Sequence, residues 1–188
     1  MKQSETSNRI WHTFGLSSSM PLAILIGPPG AGKSTVGKTL ARRLEVDFHD
    51  TDILIEEVAS KKISEIFVED GEAHFRKLEE IQVAQALRDF SGVLSLGGGA
   101  VMSVETQKLL APLKSHVIFL EVSISQAAPR VGFNRDRPML MVNPRQQWQA
   151  LLEKRLPIYR ALSSFSISTD SMKPAEVADQ IAEYLVTL

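Results

Sequence analysis

Gly27-Pro28-Pro29-Gly30-Ala31-Gly32-Lys33-Ser34-Thr35 is the stretch on which the reading of this chain turns. It fits G-x-x-x-x-G-K-[ST], the phosphate-binding loop. The apolar run Leu22-Ala23-Ile24-Leu25-Ile26 precedes it and reads as a buried strand. Lys33 to Leu44 follows and reads as a helix with Val36, Leu40 and Leu44 on one face. Strand, loop and helix is the setting that gives the motif its chemistry. Glycines let the backbone turn back and aim its N–H groups inward, and the helix N-terminus adds partial positive charge where phosphates would sit. Lys33 is expected to reach the β- and γ-phosphates, and the Ser34 hydroxyl to ligate Mg²⁺. A glycine-rich turn without ligand is the alternative, and the flanking strand and helix weigh against it.

The rest of the composition narrows the class. With 188 residues, 44% hydrophobic and 23% charged, the chain reads as one ordinary soluble domain with a substantial core. A formal net charge of −1 gives no global field for nucleic acid or a membrane surface. There is no cysteine, which excludes disulfides and thiolate metal sites and is compatible with a cytoplasmic location. No apolar run approaches the ~20 residues of a membrane span. Residues 1–21 are polar and serine-rich and are expected to form an extension outside the fold. Docking of Trp11 and Phe14 on the body is the competing expectation.

Beyond the first helix, Val46 to Asp52 reads as a short strand ending in Asp50 and Asp52. A parallel strand would deliver both acids to the sheet edge that carries the phosphate loop, where open α/β sheets bind ligands. One carboxylate is expected to order Mg²⁺ through water and the other to face an acceptor hydroxyl; alternatively, Asp52 only caps the helix beginning near Ile53. Residues 53–90 read as mostly helical, broken at Ser60-Lys61-Lys62 and Asp70-Gly71. Arg76 sits near the start of the long helix from Glu72 to about Asp89. The helix dipole does not call for an arginine there, so Arg76 is either solvated or aimed at an anionic substrate group.

Val93-Leu94-Ser95-Leu96 reads as the next strand, running into Gly97-Gly98-Gly99. Three glycines after a strand allow backbone to touch a ligand, or form a plain flexible loop. Ser115 to Glu121 is a further buried strand, followed by a helix to about Val131. The arginine-rich stretch from Arg130 to Arg145 reads as a basic flap able to close over a nucleotide, or as a solvated charge cluster. Gln146 to Leu162 reads as a helix that Pro157 should kink or limit. A strand from Ser164 to Ser168 and a helix opened by Pro174 complete the chain. Five strands alternating with helices make a parallel, doubly wound three-layer α/β domain.

Taken together, GPPGAGKST at 27–35, DTD at 50–52, GEAHFRKLE at 71–79, LSLGGGA at 94–100, RPML at 137–140 and KRLPIYR at 154–160 resemble the shikimate kinases, P-loop enzymes of the nucleoside monophosphate kinase-like group. The resemblance runs from about Leu22 to the C-terminus. It implies a five-stranded parallel sheet in the order 2-3-1-4-5, a substrate-binding segment at about 51–79 and a lid at about 132–143. It implies transfer of the ATP γ-phosphoryl to the 3-hydroxyl of shikimate, on the route to chorismate and the aromatic amino acids. By that resemblance Gly30, Ala31, Gly32, Lys33, Ser34 and Thr35 bind ATP, with Arg130 stacking on adenine and the turn near Pro174 contributing. Ser34 and Asp50 serve Mg²⁺. Asp52 binds the acceptor hydroxyls and acts as base. Arg76 and Arg155 clamp the shikimate carboxylate, Gly97, Gly98 and Gly99 contact the substrate, and Arg137 approaches the transferring phosphate. Gly97 stands where many P-loop proteins carry an acidic residue, a feature the family shares. The expected partners are ATP and shikimate, with the chain a monomer. Another small-metabolite kinase of this fold, such as a gluconate or nucleotide kinase, is the near alternative. A nucleotide-binding regulator without turnover is the distant one. Absence of N-K-x-D speaks against a guanine-nucleotide switch, and Lys33, Ser34, Asp50 and Asp52 together speak for an enzyme.

Overall fold

The computed structural model describes residues 20–131 and 143–188. Residues 1–19 of the expected extension (1–21) and residues 132–142 of the expected lid (about 132–143) lie outside the described residues. The five strands are β1 (Ala23–Ile26), β2 (Phe48–Asp50), β3 (Val93–Ser95), β4 (Val117–Glu121) and β5 (Phe165–Ser168). They form one sheet in the order β2-β3-β1-β4-β5, with every pairing parallel. Parallel pairing places the C-terminal ends of all five strands on one edge. The phosphate loop, Asp50 and the glycine run therefore share that edge.

Alternation along β1 explains the layers. Ala23 and Leu25 point to one face, where they pack with α1 (Lys33–Leu44) and α8 (Pro174–Val186). Ile24 and Ile26 point to the other, among α4 (Glu72–Asp89), α5 (Val104–Leu110) and α7 (Pro144–Leu162). Both faces are buried, as a parallel sheet requires. A third, smaller core of Ile55, Ile66 and Phe75 joins α2 (Thr51–Ala59), α3 (Ile63–Glu69) and the start of α4. That core makes residues 51–79 a packed unit beside the sheet edge. A final helix, α6 (Ile124–Val131), follows β4.

Two local expectations shift. The helix after β2 starts at Thr51, and its N-cap is Asp50, whose side chain accepts from the Asp52 N–H at 3.1 Å. The capping role weighed for Asp52 thus belongs to Asp50, and a cap of this kind contributes about 1 kcal/mol. Ser115 and His116 lie in a 3₁₀ segment (Ala111–His116) before β4. The helix that carries Pro157 runs to Leu162 as expected, held by buried Arg155, Tyr159 and Leu162. Packing of that face outweighs the one backbone hydrogen bond the proline forfeits.

Candidate active site

The phosphate loop begins where β1 ends. Gly30 and Gly32 both have φ of 84°, the left-handed region that side chains avoid. A methyl on Gly30 would also stand 2.8 Å from Val131 Cγ2 and 3.0 Å from the Ala127 backbone, so α6 closes against the loop. Lys33 Nζ donates to the Gly27 carbonyl at 2.8 Å and to the Pro28 carbonyl at 3.2 Å, folding the side chain back over the loop. From α7, buried Trp148 donates its indole N–H to the Pro29 carbonyl at 3.1 Å. Arg130 Nη1 lies 3.4 Å from the Gly30 carbonyl and donates to Thr169 Oγ1 at 3.3 Å, while Nη2 donates to the Thr169 carbonyl at 3.2 Å. Arg130 thereby ties the loop to the turn after β5. Pro174, at the first position of α8, is exposed beyond that turn.

Beside the loop, the Ser34 hydroxyl donates to Asp50 Oδ2 at 2.6 Å. A hydroxyl and a carboxylate at the phosphate end of a helix form a hard, all-oxygen donor pair. Mg²⁺ is commonly held by one or two such protein oxygens, with substrate phosphates and water completing the octahedron. Among the described residues no cluster of three or more His, Cys, Asp or Glu could hold a metal unaided.

The glycine run joins the two halves of the site, each residue touching a different part. A methyl on Gly97 would stand 2.5 Å from Asp52 Oδ1 and 2.8 Å from Glu79 Oε1. On Gly98 it would stand 3.1 Å from Pro29 Cδ, against the phosphate loop. On Gly99 it would strike the Arg76 guanidinium. The run is held from below: the Gly97 N–H donates to buried Thr51 Oγ1 at 3.0 Å. The Gly98 carbonyl accepts from Arg155 Nη1 at 3.0 Å and from Tyr159 Oη at 2.6 Å. Asp52, Arg76, Arg155 and the three glycines are therefore one constellation, and it abuts the loop that carries Lys33.

Arg76 is half-buried and paired within its own helix. Its Nη1 donates to Glu79 Oε2 at 2.6 Å, and Glu72 lies 3.3 Å away. Burial pushes the Glu79 carboxyl above its ordinary value, and the Arg76 charge only partly offsets this. The same pair holds Arg76 above its own ordinary value, although burial opposes that. The asymmetry follows depth: the Glu79 side chain is 4% exposed and that of Arg76 34%. Burial also raises Tyr159 to about 12, so it remains a hydrogen-bond donor throughout the physiological range.

Several of these groups carry no function recognisable from a motif. Glu79 was signalled by its i,i+3 spacing from Arg76. Thr51 lay inside the DTD motif. Nothing local pointed to Tyr159 or Trp148 as partners of backbone carbonyls. Arg137 lies outside the described residues.

A phosphate loop on a five-stranded parallel sheet, next to an aspartate and two arginines around a glycine run, has the architecture of a P-loop kinase. A shikimate kinase family model matches residues 29–186. The chain belongs to the shikimate kinase family. It is similar to the shikimate kinase of Thermobifida fusca (strain YX), 52% identical over 169 residues that cover 89% of this chain and 96% of that protein. The shikimate kinase of Saccharopolyspora erythraea is 49% identical over 164 residues, covering 87% and 93% respectively. Among solved structures, a shikimate kinase from Acinetobacter baumannii in complex with shikimate superposes with a TM-score of 0.82 at 31% identity, covering 93% of this chain and 97% of that one.

Proposed function

We propose that this chain transfers the γ-phosphoryl group of ATP to the 3-hydroxyl of shikimate, giving shikimate 3-phosphate and ADP. The observation that carries the reading is the glycine run: Gly97 lies against Asp52, Gly98 against the phosphate loop and Gly99 against Arg76. An acceptor seated on that backbone has a carboxylate on one side and a guanidinium on the other, within reach of the phosphate loop.

Each role then follows from chemistry. Backbone N–H groups of Gly30 to Thr35 cradle the phosphates, and Lys33 exchanges its contacts with the loop carbonyls for phosphate oxygens. Ser34 would ligate Mg²⁺ and Asp50 would hold one of its waters; the cation, when bound, would neutralise charge on the phosphate oxygens. Arg76 and Arg155 grip the acceptor carboxylate, for which the guanidinium fork is suited. Asp52 orients the hydroxyl. The hydroxyl oxygen bonds to the γ-phosphorus as the bond to the β-phosphate oxygen breaks, and the hydroxyl proton passes to Asp52. Placement and charge supply most of the catalysis. Arg130 stacks on adenine, with the turn near Pro174 beside it. Arg137 adds positive charge to the transferring phosphoryl, from a lid at about 132–143. A monomer working in the cytoplasm completes the proposal.

A coupled assay of ADP release across shikimate, gluconate and nucleoside monophosphates tests the reaction. Turnover is expected with shikimate alone; equal turnover with gluconate would overturn the substrate assignment. Calorimetric titration of shikimate with and without ADP measures binding independently of turnover.

A further inference from the structure

Ser95 closes β3, paired with Leu25 of β1 on one side and Asp50 of β2 on the other. Its neighbours Leu94 and Leu96 belong to the core on the α4–α7 face. Alternation therefore turns Ser95 to the α1 face, with Val93, Leu25 and Asp50. Its side chain is 1% exposed. Among the described residues, Ser95 Oγ is the one buried side-chain nitrogen or oxygen without a hydrogen-bond partner. An apolar residue of similar size at this position would carry no such cost. Burying an unpaired hydroxyl is unfavourable, so a group at this position calls for a partner that arrives with a ligand.

The register identifies that partner. Asp50 stands directly across from Ser95, and its carboxylate already accepts from Ser34 at 2.6 Å and from the Asp52 N–H at 3.1 Å. Each carboxylate oxygen keeps capacity for a further donor. We propose that Ser95 is a positioning residue of the cation site: its hydroxyl shares with Asp50 a hydration water of the bound Mg²⁺. The proposal rests on the assignment of Ser34 and Asp50 to that cation. It gives β3, which carries no acidic residue after it, a neutral hydroxyl in the outer shell of the metal. A neutral oxygen there orders water without adding charge beside Asp52.

The test is calorimetric titration of ADP over a Mg²⁺ series, with wild type, Ser95→Ala, Ser95→Thr and Asp50→Asn, together with thermal melts without ligand. For Ser95→Ala, the Mg²⁺ concentration that half-saturates the gain in ADP affinity is expected to rise about 3- to 10-fold, the range of one hydrogen bond. ADP affinity in EDTA should stay unchanged, and the unliganded melting temperature should hold or rise because the orphan hydroxyl is gone. Ser95→Thr, which keeps the hydroxyl, should return the Mg²⁺ midpoint towards wild type. An unchanged midpoint in Ser95→Ala overturns the proposal, as does an equal loss of ADP affinity with and without Mg²⁺. If Asp50→Asn shifts the midpoint and Ser95→Ala does not, only the role of Ser95 falls. If wild-type ADP binding ignores Mg²⁺, the cation site itself falls and Ser95 with it.

Discussion

Arg76 donates to Glu79 at 2.6 Å across one turn of α4, so the guanidinium that lies against Gly99 is anchored by a carboxylate more deeply buried than itself. The pair fixes where the fork points before an acceptor arrives. Arg76→Ala should raise the KM for shikimate about 10- to 100-fold, the loss of a hydrogen bond to a charged group, and leave ADP affinity unchanged. It also strands Glu79. Adding Glu79→Gln to Arg76→Ala should recover melting temperature without recovering KM. Steady-state kinetics and thermal melts on the single and double variants check both halves. An unmoved KM would remove Arg76 from the carboxylate grip.

Asp52→Ala should lower kcat by about 10²- to 10⁴-fold, the usual contribution of a positioned acid–base group. ATP affinity should persist, because Lys33 and the loop amides are untouched. Single-turnover kinetics beside nucleotide titration separate the two; an intact kcat excludes Asp52 as the base.

The glycine run predicts graded effects of alanine. Gly97→Ala places a methyl 2.5 Å from Asp52 Oδ1. The carboxylate must swing away, and a displacement of that size costs about 10²-fold in kcat. Gly99→Ala meets the end of a long arginine side chain, which can give way only by loosening its bond to Glu79, so the fold survives while the KM for shikimate rises about tenfold. Circular dichroism should be the same for both variants and wild type. Equal kinetics for the two would mean that the run serves only as a turn.

Glu79 makes a pH prediction whose sign follows from its raised carboxyl. A group that is harder to ionise in the folded state supports folding at pH values below its unfolded pKa. That support is lost as pH rises from near 4.5 through the raised value. Glu79→Gln has no such dependence. Its melting temperature relative to wild type should therefore improve as pH climbs through that window and level off above it. Melts across the range test this, and a flat difference would show that Arg76 cancels the burial of Glu79.

Trp148 sits on the Pro29 carbonyl of the phosphate loop and is one of two tryptophans in the chain. In a Trp11→Phe background, ADP should change Trp148 emission, and shikimate alone should change it less. Trp148→Phe leaves that carbonyl without its donor and should cost about 1–3 kcal/mol, read as a drop in melting temperature.

The local pattern of residues carried the sheet, the helices and the phosphate loop. Strand alternation, glycine spacing and helix breaks repeat over two to seven residues, so they are legible without knowing which segment lies beside which. That reach also covered Asp50, Asp52, Arg76 and the glycine run as candidates, whereas Arg155 entered only through the family resemblance. Only the tertiary structure decided how they combine. Asp50 rather than Asp52 caps α2, because the helix starts two residues earlier than its apolar pattern suggests. Arg155 and Tyr159 share the Gly98 carbonyl across 57 and 61 residues, and Trp148 reaches Pro29 across 119. Contacts at such separations arise from the order in which parallel strands lie side by side. No local periodicity encodes that order, and the same long-range pairing set Ser95 across from Asp50.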